Sequence, residues 1–166
     1  MCGQPETSQI RQLFDRIAPQ YDLMNQDMSL GLHRVWKQMA VRWSGASAGM
    51  TCLDVCCGSG DLALLLARQV GPTGQVTGTD FAVEQLAIAS ERSPHLQPRL
   101  GWVEADALNL PFADSSYEAA TMAYGLRNLT DISQGLSELC RVLIQGATVA
   151  ILDFHKPTNP LVVQFQ

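Results

Sequence analysis

Leu53-Asp54-Val55-Cys56-Cys57-Gly58-Ser59-Gly60-Asp61 decides how the remainder of the chain is arranged. The apolar run Thr51–Val55 reads as a buried strand, and Asp61 to Val70 reads as a helix. Between them lies a turn built on Gly58 and Gly60. Glycine tolerates positive φ at no steric cost and lets backbone come close to a ligand. The turn is therefore expected to present free amide groups at a helix N-terminus, where they suit an anionic group. A strand-to-helix turn with no ligand is the plain alternative. A short glycine motif by itself does not separate the two.

Outward from this turn, strand and helix alternate, which implies a parallel sheet covered on both faces. After the helix closed by Gly71-Pro72 come a strand over Gln75–Thr79 ending in Asp80 and a helix from Val83 to Arg92. A third strand, Leu100–Glu104, leads to Asp106 and an irregular stretch, Leu108–Asp114. A fourth, Glu118–Ala123, leads to Tyr124-Gly125-Leu126-Arg127-Asn128. A helix over Ile132–Leu143, with Ile132, Leu136, Leu139 and Leu143 inward, precedes a fifth strand, Thr148–Leu152. Asp153-Phe154-His155 follows it.

Residues 1–49 read as a separate helical piece before a main domain over 50–166. Ser8 can cap a helix through Ala18, ended by Pro19. A second helix, Leu32 to Trp43, carries the apolar stripe Leu32, Val35, Trp36, Met39, Ala40 and Trp43. That stripe is expected to pack inward, leaving His33, Arg34, Lys37 and Arg42 as a solvated basic face that can also meet lipid headgroups.

The 166 residues carry 46% hydrophobic and 16% charged residues, the content of an ordinary globular domain. A net charge of -5 argues against a nucleic-acid partner. The five cysteines (Cys2, Cys52, Cys56, Cys57, Cys140) are odd in number and form no CxxC pair, so they are expected reduced and mostly buried. The histidines show no metal-ligand spacing, and no metal site is expected. With no signal peptide and no apolar run of spanning length, the expected location is cytoplasmic.

In an open parallel sheet, ligands gather outside the carboxyl ends of the strands. The glycine turn, Asp80, Asp106, Arg127-Asn128 and Asp153-Phe154-His155 all fall at such ends. Two cofactor classes use a turn of this kind: dinucleotides through their pyrophosphate, and S-adenosylmethionine (SAM) through its carboxylate. Gly58-Ser59-Gly60-Asp61-Leu62-Ala63 satisfies the dinucleotide pattern G-x-G-x-x-A, and a carboxylate at Asp80 serves the ribose of either. Three features favour SAM. Asp54 stands just ahead of the turn, where its charge can order the loop and suit a cationic ligand. Asp106-Ala107 follows the third strand, where a carboxylate can accept from an adenine amino group. No Tyr-x-x-x-Lys pair for hydride transfer is found.

The chain resembles the class I SAM-dependent methyltransferases, and within them the ubiquinone/menaquinone biosynthesis C-methyltransferase family. The resembling stretches are Phe14-Asp15-Arg16-Ile17-Ala18-Pro19-Gln20-Tyr21-Asp22, Met24-Asn25 and Ser29 to Lys37. They continue with the glycine turn, Leu110-Pro111-Phe112-Ala113-Asp114, Tyr124 to Asn128, and Arg141-Val142-Leu143. Cys56-Cys57 and Asp153-Phe154-His155-Lys156-Pro157 resemble the cyanobacterial branch, which methylates a phytyl-naphthoquinone.

The resemblance implies a Rossmann-like α/β fold, with a five-stranded parallel sheet in the order 3-2-1-4-5 and helices on both faces. The family's last two strands would lie beyond Gln166, which makes the fifth strand an apolar edge that invites a second copy, a homodimer. It also implies the site. Asp54, Gly58, Ser59 and Gly60 stand where the family contacts SAM. Asp80, with Phe81 beside it, falls on the ribose carboxylate, Asp106 and Ala107 on the adenine side, and Ala123 at the end of the fourth strand. Tyr21 lies in the segment that closes over the cofactor, and Arg127 and Asn128 lie where a prenylated quinol meets the methyl. His155 is a further candidate for proton removal. A methyltransferase-like module that binds SAM without turnover, and an NAD-dependent oxidoreductase, stay as alternatives.

Overall fold

The computed structural model describes residues 32–93, 95–96 and 99–153. Its elements are α1 (Leu32–Trp43), β1 (Thr51–Val55), α2 (Asp61–Val70), β2 (Gln75–Asp80), α3 (Val83–Glu91), β3 (Leu100–Glu104), β4 (Tyr117–Ala123), α4 (Ile132–Val142) and β5 (Leu143–Leu152). Short 3-10 turns cover Gly71–Thr73 and Leu126–Asn128. The expected helix over Ser8 to Ala18 lies outside the described residues.

All five strands are parallel, in the order β3-β2-β1-β4-β5. The β1–β2, β2–β3 and β4–β5 crossovers carry α2, α3 and α4, and the β3–β4 connection is an irregular stretch without a helix. α1 and α2 cover one side, where Ala40, Val41, Leu62, Leu66 and Val70 meet Cys52, Val76 and Ala119. On the other side Leu139 and Val142 of α4 meet Leu53, Val55, Ala120 and Met122. Successive strand residues point to opposite faces, so β1 buries Leu53 and Val55 on one side and Cys52 and Asp54 on the other.

The parallel register sets one row across the sheet: Trp102, Gly78, Asp54, Thr121, Ala150. Trp102 lies over Gly78 and reaches Gly60 in the turn. A Cβ at Gly60 would sit 2.5 Å from the far edge of its indole. These two glycines therefore make room for an indole inside the fold as well as shaping the turn.

Two of the stretches that carry the family resemblance form a single network. The Arg141 guanidinium donates to the carbonyls of Leu110 (2.9 Å) and Phe112 (2.7 Å) and to the carboxylates of Asp114 and Glu138. Glu138 in turn accepts from the Leu110 amide at 2.8 Å. This clamp ties the irregular stretch after β3 to the inward face of α4.

Three expectations need correction. The α1 helix is turned so that His33, Lys37, Ala40 and Val41 face inward, while Leu32, Val35, Met39 and Trp43 are exposed. Small residues at 40 and 41 let α1 approach α2 and β5 closely, and the Lys37 ammonium finds a carboxylate on Asp61 at 2.6 Å. On α4, Ile132 and Leu136 are exposed, and the buried face is Gly135, Glu138, Leu139 and Val142. Leu143 ends the helix and opens β5, which is longer than expected because Leu143 already pairs with Tyr117. A register shift between Tyr117 and Ala119 accommodates the extra residues.

Candidate functional site

The strand order reverses between β1 and β4, and the turns following these two strands face each other across a cleft. Its walls are Lys37, Asp54, Cys56 to Ser59, Asp61, Asp80, Phe81, Gln85 and Ala123 to Gly125, closed by Asn128 and Leu129. The two turns touch: a Cβ on Gly125 would lie 2.5 Å from the Cβ of Cys56. Cys56 itself holds φ 54, a left-handed conformation that L side chains adopt at a cost of about 1–2 kcal/mol. Glycine would relieve that strain, but the thiol fills the contact with Gly125.

The turn is ordered by two buried carboxylates. Asp54, 1% exposed, accepts from the Thr121 hydroxyl at 2.7 Å and from the Ala63 amide at 2.9 Å, fixing α2 to the sheet. Burial pushes its pKa up to about 7, against those hydrogen bonds and the charge of Lys37. Asp80 accepts from the Gly58 amide at 2.8 Å and the Ala82 amide at 3.0 Å. Burial raises its pKa too, opposed by the backbone donors. The thiols of Cys56 and Cys57 are raised well above their usual range, first by burial and then by these carboxylates, so they stay protonated.

The expectation of free amides in the turn is corrected by the same bonds. The amide of Cys57 donates to Thr79 O, that of Gly58 to Asp80, that of Gly60 to Cys57 O and that of Ala63 to Asp54. Internal acceptors take these donors because a buried amide left unpaired is costly.

A second cavity adjoins the cleft through Cys56, Asp80, Phe81 and Asn128, and contains Asp106, Ala107 and Leu108. The Asp106 carboxylate accepts from the Leu108 amide at 2.9 Å. Asp54, Gly58, Ser59, Asp80, Phe81, Ala123 and Asn128 thus meet in one cleft, with Asp106 and Ala107 next door. Gly60 stands behind the turn, against Trp102. Arg127 lines neither the cleft nor the adjoining cavity; it donates to Asp153 through Nη1 at 2.6 Å, with its guanidinium 5.8 Å from the Tyr124 ring centroid. Asn128 donates to Tyr124 O at 3.1 Å. Tyr21 and His155 lie outside the described residues.

Sequence reasoning missed Lys37 and Gln85. Both sit on helices at positions that read as solvated, and no local signal marks them as lining a cleft. It also missed an apolar hollow of about 390 Å3 lined by Trp36, Met39, Trp43, Tyr124, Leu152 and Asp153.

A model of the ubiE/COQ5 methyltransferase family matches residues 3–165. The chain belongs to this family. A Nostoc protein named "2-phytyl-1,4-naphtoquinone methyltransferase" is 58% identical over 162 residues, covering 96% of this chain and 71% of the relative. The Synechocystis protein of that name is 53% identical over 168 residues, covering 100% and 71%. An Arabidopsis thaliana chloroplastic relative is 52% identical, covering 93% and 60%. Among solved structures, a SAM-dependent methyltransferase from Aquifex aeolicus aligns with a TM-score of 0.67 at 27% identity, over 75% of this chain and 66% of that one. The [4+2]-cyclase SpnF aligns at 0.75 and 24% identity, over 89% and 60%, and shares the fold.

The chain is a SAM-dependent methyltransferase, and its cleft fits that cofactor. The buried Oε1 of Gln85 faces the cleft with no hydrogen-bond partner among the described residues, an acceptor in want of a donor. Asp80 accepts from the Gly58, Ala82 and Phe81 amides and keeps acceptor capacity for a ribose hydroxyl. The carboxylates of Asp54, Asp61 and Asp80 suit a ligand of net positive charge.

Proposed function

We propose that this methyltransferase acts on a ring carbon of a reduced, phytyl-bearing naphthoquinone, the substrate named for its relatives in Nostoc and Synechocystis. The carrying observation is that the cofactor cleft and the apolar hollow share Tyr124 as a common wall. An apolar tail lying along Trp36, Met39 and Trp43 brings its head group to the rim formed by Tyr124 and Asp153.

The cofactor would be held by Asp54, Gly58, Ser59, Asp80 with Phe81, Asp106 with Ala107, and Ala123, with Gly60 shaping the turn from behind, and it supplies an electrophilic methyl on sulfonium. A quinol carbon becomes nucleophilic when the neighbouring hydroxyl loses its proton and pushes charge into the ring. Arg127, oriented by Asp153, stabilises that oxyanion, and a guanidinium cation has no lone pair with which to take the proton itself. Asn128 orients the head group. The proton leaves through a water held by Tyr21 and Asn128, or through His155.

Within the proposed cap segment, residues 1–49, the described helix α1 packs on α2 and β5 of the domain spanning 50–166. No described helix is long and apolar enough to cross a membrane. A cytoplasmic protein that touches the membrane holding its substrate, through exposed Leu32 and Val35 flanked by Arg34 and Arg42, fits this reading. The exposed Ile144 and Ile151 of edge strand β5 offer a homodimer contact.

Transfer of a labelled methyl from SAM to demethylated phytyl-naphthoquinol, with and without reductant, is the test. Methylation of the quinol and not of the quinone is expected. A preference for a tail-less quinol, or equal rates on the oxidised form, removes the proposal.

A further inference from the structure

Lys37 is carried into the cleft by the inward face of α1 and is only 8% exposed. Among the described residues lining the cleft it is the one with a cationic side chain, standing opposite Asp54, Asp61 and Asp80. We infer that Lys37 is a cofactor-binding residue whose ammonium takes the carboxylate of the methionine part of SAM.

SAM carries two positive groups, sulfonium and ammonium, and one negative group, a carboxylate. The cleft's aspartates suit the positive groups and repel the negative one. Of the backbone amides that would ordinarily receive a carboxylate here, those of Cys57, Gly58, Gly60 and Ala63 already donate within the protein. A strong donor is still needed, and a charged one is worth roughly twice a neutral one.

Position along the cleft agrees. On the proposed cofactor reading, Asp80 and the adjoining cavity around Asp106 and Ala107 take the adenosine end. Lys37 lines the cleft but not that cavity, so it stands at the end left for the amino-acid part. Its Nζ lies 2.6 Å from Asp61 Oδ2, which takes one of its three N–H donors. Asp61 does not depend on Lys37 alone, because Arg92 donates to its other oxygen at 2.6 Å and also to Ser59. Lys37 can therefore share its charge with a ligand without leaving Asp61 uncompensated.

The test is calorimetry on the whole chain with three probes: S-adenosylhomocysteine, its decarboxylated analogue, and 5′-methylthioadenosine, which lacks the amino-acid part. Wild type should prefer S-adenosylhomocysteine over the decarboxylated analogue by about 10- to 100-fold, the worth of one charge-assisted hydrogen bond. Lys37→Met should remove most of that preference and leave 5′-methylthioadenosine binding within a few-fold. Lys37→Arg, which keeps the charge, should retain part of it. A wild type that binds the first two probes equally overturns the inference with no mutant needed. Equal losses for all three probes in Lys37→Met overturn it as well, since they would mark a residue that only supports the fold.

Discussion

Asp153, at the end of β5, grips Arg127 at two points: Oδ1 accepts from Nη1 at 2.6 Å and Oδ2 from the backbone amide at 3.1 Å. The side chain and its own turn are thus oriented by one carboxylate on the neighbouring strand end. The pair is partly exposed, so its contribution to stability should stay within about 1 kcal/mol. Its weight falls on turnover. Arg127→Ala should lower the methylation rate by about 10²–10³ while SAM affinity stays within a few-fold. Asp153→Asn should reproduce part of that loss, and the double mutant should be little worse than Arg127→Ala. Near-normal turnover on quinol in Arg127→Ala would remove its role.

Asp80 joins the cofactor cleft to the turn it orders. Asp80→Ala leaves the Gly58 and Ala82 amides without their acceptor, at about 1–3 kcal/mol of stability, and should weaken SAM at least tenfold. Asp80→Asn keeps one acceptor and should fall between. Calorimetry and thermal melting on both proteins read the two effects separately. Unchanged SAM affinity in the alanine variant would sink the assignment.

Asp54 makes the ligand-free protein pH-sensitive. Its pKa rises from 3.8 to about 7 on folding, so its stabilising contribution is complete below about pH 4 and is lost as pH rises through 7. Asp80 shifts in the same direction. Denaturation midpoints should therefore decline between pH 5 and pH 8, with a shallower slope in Asp54→Asn. SAM, cationic overall, should bind more tightly at pH 8 than at pH 6, where Asp54 is largely protonated. A flat stability profile in wild type would contradict this.

Gly78 and Trp102 form a steric pair. A Cβ at Gly78 collides with the indole ring, and overpacking of this kind costs about 1–3 kcal/mol. Gly78→Ala should be destabilised by that amount and largely restored by Trp102→Leu. Gly60→Ala should not be restored by the same change, because φ 89 strains any L side chain there. Urea denaturation of the four variants checks both halves. Equal rescue at positions 60 and 78 would show that the clash alone governs both.

Strand and helix order, the parallel sheet and the gathering of Asp54, Asp80, Asp106, Ala123 and Asn128 at one rim were legible in the sequence. Short apolar runs, the glycine turn and the connections between strands are local or topological constraints, and they leave little choice of fold. The family was legible from the resemblance of stretches such as Leu110 to Asp114 and Arg141 to Leu143, and in the structure these two meet in one network.

The tertiary structure alone decided which face of α1 turns inward. Hydrophobic periodicity assigns Leu32, Val35, Met39 and Trp43 to the core, yet they are exposed, with Trp43 at 65%. Packing is a matter of fit between particular surfaces. The Lys37 face carries small residues that let α1 approach closely and a charge that meets Asp61, and no pattern within α1 announces a partner 24 positions away. The same holds for the turn amides. Glycines in sequence promise free donors, but whether Asp54, Asp80 and Thr79 O reach those donors first depends on strand register, which exists only once the sheet has formed.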